Sequence, residues 1–507
     1  MRRLLLALLP VAATLVVAQP AAATGTACGG ITAPTVPGAE VVSVASVERH
    51  DFVVPPDPFH PEPITDIPAF CEVTLTLTHP GANDSVAVEV WLPLDTWNGR
   101  FLGTGGGGYA PGFFDYELAP GVKSGFAAVS TDAGIGGDIV SPAAWALTAD
   151  GSVNRELLTN FASRSVHDMT VAGKAVTRQF YGRAANYTYW NGCSTGGRQG
   201  LMAAQKYPHD YDGIVATAPA VNWTKFLVAD QWPQVVMNEM GNFPTPCELQ
   251  AFNDAAVAAC DRLDKVADGV IGDPARCRFD PYELVGKVVD CGGGATTISR
   301  ADAAVVAKIW AGPGVWSGLP RGAQFWGIAG TTEDGTAGVP FQISDDWVRY
   351  FVEKDPAFDT TTVGYGDWYR HFALSYAEYR DVIDTSNPDL SAFRKSGGKM
   401  ITWHGQADEL IFPQGSIDYW QRVRDADDFY RLFMAPGVGH CGGGPGPAPV
   451  DPLDAVIRWV EQGKAPATLP AASATATRNL CRYPLVSRYD GHGDPNSAAS
   501  FRCARSY

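Results

Sequence analysis

The sequence predicts an α/β protein: a mostly parallel sheet with helices on both faces, interrupted by one large insertion. Three observations predict it. Between residues 72 and 220, short apolar or alternating segments that read as strands give way repeatedly to segments of helical composition. Strand–helix–strand alternation is the signature of a parallel sheet covered by helices. That regularity is lost between about 223 and 395, and it resumes with KMITWHGQADELI at 399–411.

The elements follow in order. Residues 1–23 read as a signal peptide: Arg2 and Arg3 give a positive start, an apolar run follows, and AAA at 21–23 supplies small residues for cleavage. The apolar run is short and broken by Pro10, which argues against a membrane anchor. Residues 24–222 form the first part of a catalytic domain. VTLTLTHP and SVAVEVWLP within 72–93 alternate as strands do, and FLGTGGGGYAP at 101–111 is a strand running into a glycine-rich loop. GFAAVSTDAG at 125–134 is a buried strand and turn, and a helix covers about 162–180. NYTYWNGCSTGG is a strand entering a tight turn, RQGLMAAQKYP has helical composition, and YDGIVATAPA at 211–220 is the next strand. Residues 223–395, rich in aromatics and long irregular segments, read as an inserted lid domain. Residues 396–507 complete the catalytic domain, with an amphipathic helix at 453–463 and a tail expected to wrap over the body.

The chain has 507 residues and a formal net charge of −16, with 46% hydrophobic and 11% aromatic residues. That length and apolar content allow a large core plus an insertion. The acidic balance excludes a nucleic-acid binder, which needs a basic face. After signal removal the mature chain is expected to be secreted and off the membrane. In an oxidising compartment, ten cysteines without a C-x-x-C pair point to disulfides rather than zinc. The count alone does not give their connectivity.

Gly192-Cys193-Ser194-Thr195-Gly196 fits G-x-S-x-G between a strand and a helix. A nucleophile on such a turn needs strained backbone angles, and glycines two residues away remove the clashes. The helix that follows aims its N-terminal N–H groups where negative charge develops. A serine nucleophile needs a base, and the base an orienting carboxylate. In α/β-hydrolases these follow in the order Ser, Asp/Glu, His. His440, in PGVGHCGGG, is the candidate base. Asp408 is the candidate acid, Glu409 its local rival, and His404 reads as a structural residue at a strand end. Cys193 precedes Ser194 and Cys441 follows His440, so a Cys193–Cys441 disulfide would tie nucleophile turn to base loop. In CDRLDKVADGVIGDPARC at 260–277, Asp261, Asp264 and Asp268 converge on Gly269, which suits a hard cation taking oxygen ligands. The spacing is not that of an EF-hand. Nearness suggests Cys28 with Cys71 and Cys481 with Cys503, and leaves the pairing among Cys247, Cys260, Cys277 and Cys291 open until the bridge around the carboxylate loop is known.

The Cys-Ser, Asp and His-Cys arrangement resembles the tannase and feruloyl esterase family of α/β-hydrolases, whose relatives include mono(2-hydroxyethyl) terephthalate hydrolases. The resemblance implies Ser194 as nucleophile, Asp408 as orienter, His440 as base and Cys193–Cys441 as the linking bridge. It implies an oxyanion hole from the backbone N–H of Thr195 and of the glycine-rich loop, at Gly106 and Gly107. It implies a structural calcium in the lid, with the backbone carbonyls of Val266 and Val270 joining the aspartates, and a Cys260–Cys277 bridge around that loop. The activity implied is a secreted serine carboxylesterase acting on small esters of hydroxycinnamic or gallic-type acids, from plant cell wall or tannin. Terephthalate monoesters or other small esters are the alternative substrates, and a catalytically silent, calcium-stabilised secreted binding protein is the alternative class. Trp347, Phe351 and Ile411 are candidate substrate contacts.

Overall fold

The computed structural model describes residues 25–57, 60–292 and 294–506. The signal-peptide segment lies outside the described residues. Among those described, nine strands form one sheet: β1 (Glu40–Arg49), β2 (Phe70–Thr78), β3 (Val86–Pro93), β4 (Arg100–Thr104), β5 (Ala127–Thr131), β6 (Tyr187–Cys193), β7 (Gly213–Thr217), β8 (Lys399–Gly405) and β9 (Tyr430–Ala435). Their spatial order is β1-β2-β3-β5-β4-β6-β7-β8-β9. The first three strands run as an antiparallel meander that joins β5 antiparallel. From β5 to β9 every neighbouring pair is parallel. This is the mostly parallel α/β architecture the alternation predicts.

The central strands are covered on both faces. β5 (AAVST) and β7 (GIVAT) are buried at every residue, so they carry apolar runs rather than alternation. Helices α1 (Phe114–Lys123) and α2 (Ser165–Tyr181) cover opposite faces of the sheet. Val166, Met169, Ala172 and Val176 of α2 pack on Val88, Val90, Phe101 and Val129 on one face. Leu118 and Val122 of α1 pack on Trp91, Leu102 and Ala128 on the other. The helix after the G-x-S-x-G turn is α3 (Thr195–Lys206).

The chain leaves the sheet after β7 and re-enters it at β8, where Lys399 pairs with Gly213. The stretch between was expected to be irregular. It is largely helical instead, with α4 (Trp223–Ala229), α5 (Trp232–Met240), α6 (Pro246–Cys260), α7 (Arg300–Ala311) and the 19-residue α8 (Tyr365–Ile383). Capping boxes start two of them, Thr245 with Glu248 and Ser299 with Asp302, each satisfying otherwise orphaned backbone N–H groups. The apolar face of α8 is built from Trp368, Tyr379 and Ile383 and also admits His371 and Ser375, which blurs its helical period in the sequence. One aromatic core joins this insertion to the sheet domain: Tyr109, Trp145 and Phe161 pack with Trp223, Trp347 and Phe351. A last helix, α9 (Pro452–Gln462), covers β7 and β8 through Val456 and Trp459. The tail returns across β9, where Tyr483 donates its N–H to Leu432 O at 2.7 Å. No helix among the described residues is long and apolar enough to cross a membrane.

Candidate active site

Ser194 sits between the end of β6 and the first turn of α3, with φ 62° and ψ −119°. A left-handed conformation at a residue with a Cβ is costly and persists only when its surroundings impose it. Here they do. Ser194 N–H donates to Thr217 O at 3.0 Å, and Arg198 N–H returns to Ser194 O at 3.0 Å. The neighbouring glycines are close-approach positions: a Cβ on Gly192 would meet the Gly196 backbone at 2.7 Å, and one on Gly197 would meet Thr217 O at 2.3 Å. Below the turn, the guanidinium of Arg198 is wholly buried and donates to Ala162 O and Phe161 O at 2.8 and 3.0 Å.

Asp408 follows β8 and His440 follows β9, so all three motif residues stand at the carboxyl ends of parallel strands. The two loops are stitched together, with Ala407 N–H donating to Val438 O at 3.0 Å. His440 Nδ1 lies 2.9 Å from Asp408 Oδ2. An Nδ1–H held this way leaves Nε2 with a free lone pair. Asp408 is completely buried. Burial alone would raise its carboxyl, but the charge of His440 and the hydrogen bonds from His404 and His440 outweigh it and hold it well below the usual carboxylate range. Burial lowers His440 in turn, and the Asp408 carboxylate more than reverses that, so the imidazole is raised from 6.5.

Two neighbours divide what the sequence left open. His404, also completely buried, places Nε2 3.0 Å from Asp408 Oδ2 and 2.8 Å from Ile411 O, with Nδ1 2.8 Å from Ser416 Oγ. Facing two acceptors, Nε2 carries its proton, so His404 is a second donor to Asp408. Glu409 does not reach the imidazole of His440; its Oε2 accepts the His440 backbone N–H at 3.2 Å. Burial, and then the charge of Asp408, raise both Glu409 and the buried Asp230.

The ten cysteines pair as Cys28–Cys71, Cys193–Cys441, Cys247–Cys291, Cys260–Cys277 and Cys481–Cys503. Cys193 and Cys441 have Cα atoms 5.9 Å apart, which sets Ser194 and His440 one residue to either side of the bridge. Beside the turn, Thr195 Oγ1 donates to Gly108 O at 2.6 Å and Gly196 N–H to Gly106 O at 2.9 Å. These bonds press the glycine-rich loop against the start of α3. One expected donor is corrected: the Gly106 N–H is taken by Gln199 Oε1 at 3.2 Å. Gly107 is left as the loop's candidate donor alongside Thr195. Nothing local in the sequence marks Gln199, which follows Gly106 by 93 residues.

The carboxylate loop at 260–277 is stitched by its own side chains. Asp261 Oδ1 accepts the N–H groups of Asp268 and Gly269 at 3.0 and 3.1 Å, and Asp268 Oδ2 meets Arg478 Nη2 at 2.8 Å. Burial, and behind it the charges of Asp268 and Asp261, raise Asp264 to about 6. Among the described residues no three acidic, imidazole or thiol side chains converge into a ligand shell by themselves. A cation here would therefore need backbone oxygens as well, the part the resemblance gives to Val266 and Val270. The donor set fits such an ion in kind: hard carboxylate oxygens that repel one another without it. Of the expected substrate contacts, Trp347 and Phe351 are corrected. Both are fully buried, stacked at 4.4 Å on each other, with Trp347 Nε1 donating to Ser375 Oγ at 2.8 Å. They are core residues of the insertion, while Ile411 is 8% exposed beside Asp408.

The comparisons with known proteins agree with one another. A family model described as tannase and feruloyl esterase matches residues 71–504. A probable feruloyl esterase of Arthroderma benhamiae is 50% identical, covering 95% of this chain and 94% of its own length. A probable feruloyl esterase B of Aspergillus clavatus is 33% identical, covering 83% and 84%. Among solved structures, a tannin acyl hydrolase from Aspergillus niger superposes with TM-score 0.82 at 29% identity, over 93% of this chain and 92% of that one. Feruloyl esterase B from Aspergillus oryzae does so with TM-score 0.77 at 30% identity, over 93% and 98%.

Proposed function

The chain belongs to the tannase and feruloyl esterase family and is a carboxylic ester hydrolase, and from that premise we propose that it is a secreted serine esterase cleaving esters of hydroxycinnamic or gallic-type acids. The observation that carries the catalytic reading is the 2.9 Å contact of His440 with Asp408, in a loop bridged through Cys441 to the residue before Ser194.

In this reading Ser194 Oγ attacks the ester carbonyl carbon while His440 Nε2 accepts its proton. Asp408 stabilises the imidazolium from the Nδ1 side. The N–H groups of Thr195 and Gly107 receive the oxyanion. Collapse breaks the bond to the alcohol, which leaves with the proton from His440. Water, deprotonated by His440, then attacks the acyl-serine and releases the acid. Residues 223–395 act as a lid over this site, which the shared aromatic core supports. Secretion is supported by five disulfides with no free cysteine among the described residues.

Calcium is proposed as a structural ion held by Asp261, Asp264, Asp268 and the carbonyls of Val266 and Val270. When bound it would neutralise the clustered carboxylates and stiffen the loop, and it takes no part in ester cleavage.

Ser194→Ala tests the reading. It is expected to lower kcat on methyl ferulate or methyl gallate by about 10⁴-fold or more, and to abolish labelling by a fluorophosphonate. Retention of most activity in a folded variant would refute Ser194 as nucleophile. A panel adding a terephthalate monoester ranks the acyl groups.

A further inference from the structure

Gly105-Gly106-Gly107-Gly108 is the least self-supporting stretch beside Ser194. Residues without a Cβ reach both signs of φ, so nothing in the loop itself fixes where its N–H groups aim. A donor for an oxyanion works only if it is aimed before the charge forms. The aim must come from outside the loop. Gly105 N–H donates to Asn191 O at 3.2 Å, Tyr109 N–H to Ile139 O at 2.8 Å and Ala110 N–H to Gly107 O at 2.9 Å. One side chain holds both ends of the turn. Gln199, completely buried on α3 one turn beyond Thr195, accepts the Gly106 N–H on Oε1 at 3.2 Å and donates from Nε2 to Pro111 O at 2.9 Å. Its amide is planar, so the two bonds set the spacing of residues 106 and 111. The fit leaves no slack. A Cβ on Gly105 would lie 2.8 Å from Gln199 Oε1 and 2.4 Å from Gly196 Cα, and one on Gly106 would lie 2.0 Å from Ala110 O.

We infer that Gln199 is a positioning residue for ester cleavage, its amide clamping the turn 106–111 and so aiming the Gly107 N–H at the oxyanion. The inference rests on the esterase reading above. The reason lies in two peptide planes. Gly107 N–H shares a plane with Gly106 O and points opposite to it. Gly106 O accepts the Gly196 N–H at 2.9 Å, a single bond about which that plane can still turn. Gln199 secures the plane before it, through the Gly106 N–H. Holding both planes fixes φ and ψ of Gly106, and with them the direction of the Gly107 N–H. Thr195, Gly196 and Gln199 all belong to α3, which starts at Ser194. Nucleophile and oxyanion donors are thereby referred to one rigid element.

The test uses Gln199→Met, which keeps the side chain's length and removes both bonds. Its kcat on methyl ferulate is expected to fall about 10²-fold, the scale of one lost oxyanion donor, with KM within about threefold of wild type. A trifluoromethyl ketone analogue of the substrate, whose adduct with Ser194 carries an oxyanion, should lose affinity by a similar factor. The acid limb of kcat/KM should stay in place, because His440 and Asp408 are untouched. Hydrogen exchange over residues 105–111 should quicken. Gln199→Glu is the conservative variant: its neutral carboxyl, favoured by burial, accepts and donates as the amide does, whereas the carboxylate cannot donate. Its kcat relative to wild type should therefore rise as pH falls. The clamp is overturned by a folded Gln199→Met with kcat within about twofold of wild type, by lost kcat without lost ketone affinity, by a displaced acid limb or by unchanged exchange. Should Gln199→Met fail to fold, a pH-independent ratio for Gln199→Glu overturns it. If wild type neither cleaves methyl ferulate nor takes a fluorophosphonate label, the esterase reading fails, and the exchange measurement still decides whether Gln199 holds the loop.

Discussion

Asp408 receives two imidazoles on a single oxygen, one from the base and one from His404. That doubles the donors fixing the carboxylate, so its position does not depend on His440 alone. Asp408→Asn is expected to lower kcat by about 10⁴-fold, since the amide can no longer stabilise the imidazolium. Glu409→Gln should cost far less, because Glu409 meets only the backbone of His440; a reversed order of the two effects would reassign the carboxylate. The pH dependence has a definite sign. His440 acts as base only when neutral, and its value is raised above 6.5 by Asp408. The acid limb of kcat/KM for wild type should therefore fall above pH 6.5, and in the residual activity of Asp408→Asn it should move to lower pH. A limb that stays in place would show that another group titrates. The strand-end positions of Ser194, Asp408 and His440 were legible because each lies in a short glycine-marked motif. The role of His404 was not, because a spacing of four across a strand end and turn implies no contact, unlike the same spacing on a helix. The occupied amide of Gly106 was hidden for a similar reason: its partner is remote in sequence.

At the scale of elements, the bridge from the β6–α3 turn to the loop after β9 closes 248 residues. Such closure restricts the unfolded chain by roughly 5 kcal/mol in the entropic account. Its positional effect is separable. Cys193→Ala with Cys441→Ala should lower kcat about 10²-fold, the cost of a displacement near 1 Å between base and nucleophile, and should lower Tm as well. The pair Cys260→Ala with Cys277→Ala should lower Tm while changing kcat much less. Equal losses of kcat in the two double variants would show that the bridge acts only through stability. The buried strands β5 and β7 were readable as apolar runs between turns. β1 was not, because this edge strand keeps most of its residues exposed or half-exposed and so lacks an apolar face. The helices of the insertion were missed because they bury aromatic and polar groups together, as α8 does.

Over the whole molecule, the carboxylate loop couples α6 to the tail: α6 leads into it, Cys277 is bonded back to Cys260 at the end of that helix, and Arg478 of the tail grips Asp268. Chelation with EDTA should lower Tm by a few degrees and reduce activity only as the fold loosens. Asp264→Ala should start at the lower Tm and no longer respond to chelator; a wild-type Tm indifferent to chelator would remove calcium from the account. The fold class was legible over the sheet, because strand and helix compositions alternate along the chain there. The packing of the insertion was not, since its partners Tyr109, Trp145 and Phe161 lie in loops and a helix far upstream. The pairing of Lys399 with Gly213 also bears on modularity. Because β7 and β8 are parallel neighbours, residues 218–398 leave at the carboxyl end of one strand and re-enter at the amino end of the next, so whatever replaces them must still cross over the sheet, a connection of about a dozen residues or more. The uncovered surface would then present the aromatic rings of Tyr109, Trp145 and Phe161 to water. A trimmed or exchanged version of this protein is thus limited by solubility as well as by the length of that crossover, and a graft succeeds to the extent that it spans the sheet and brings its own indoles to that face.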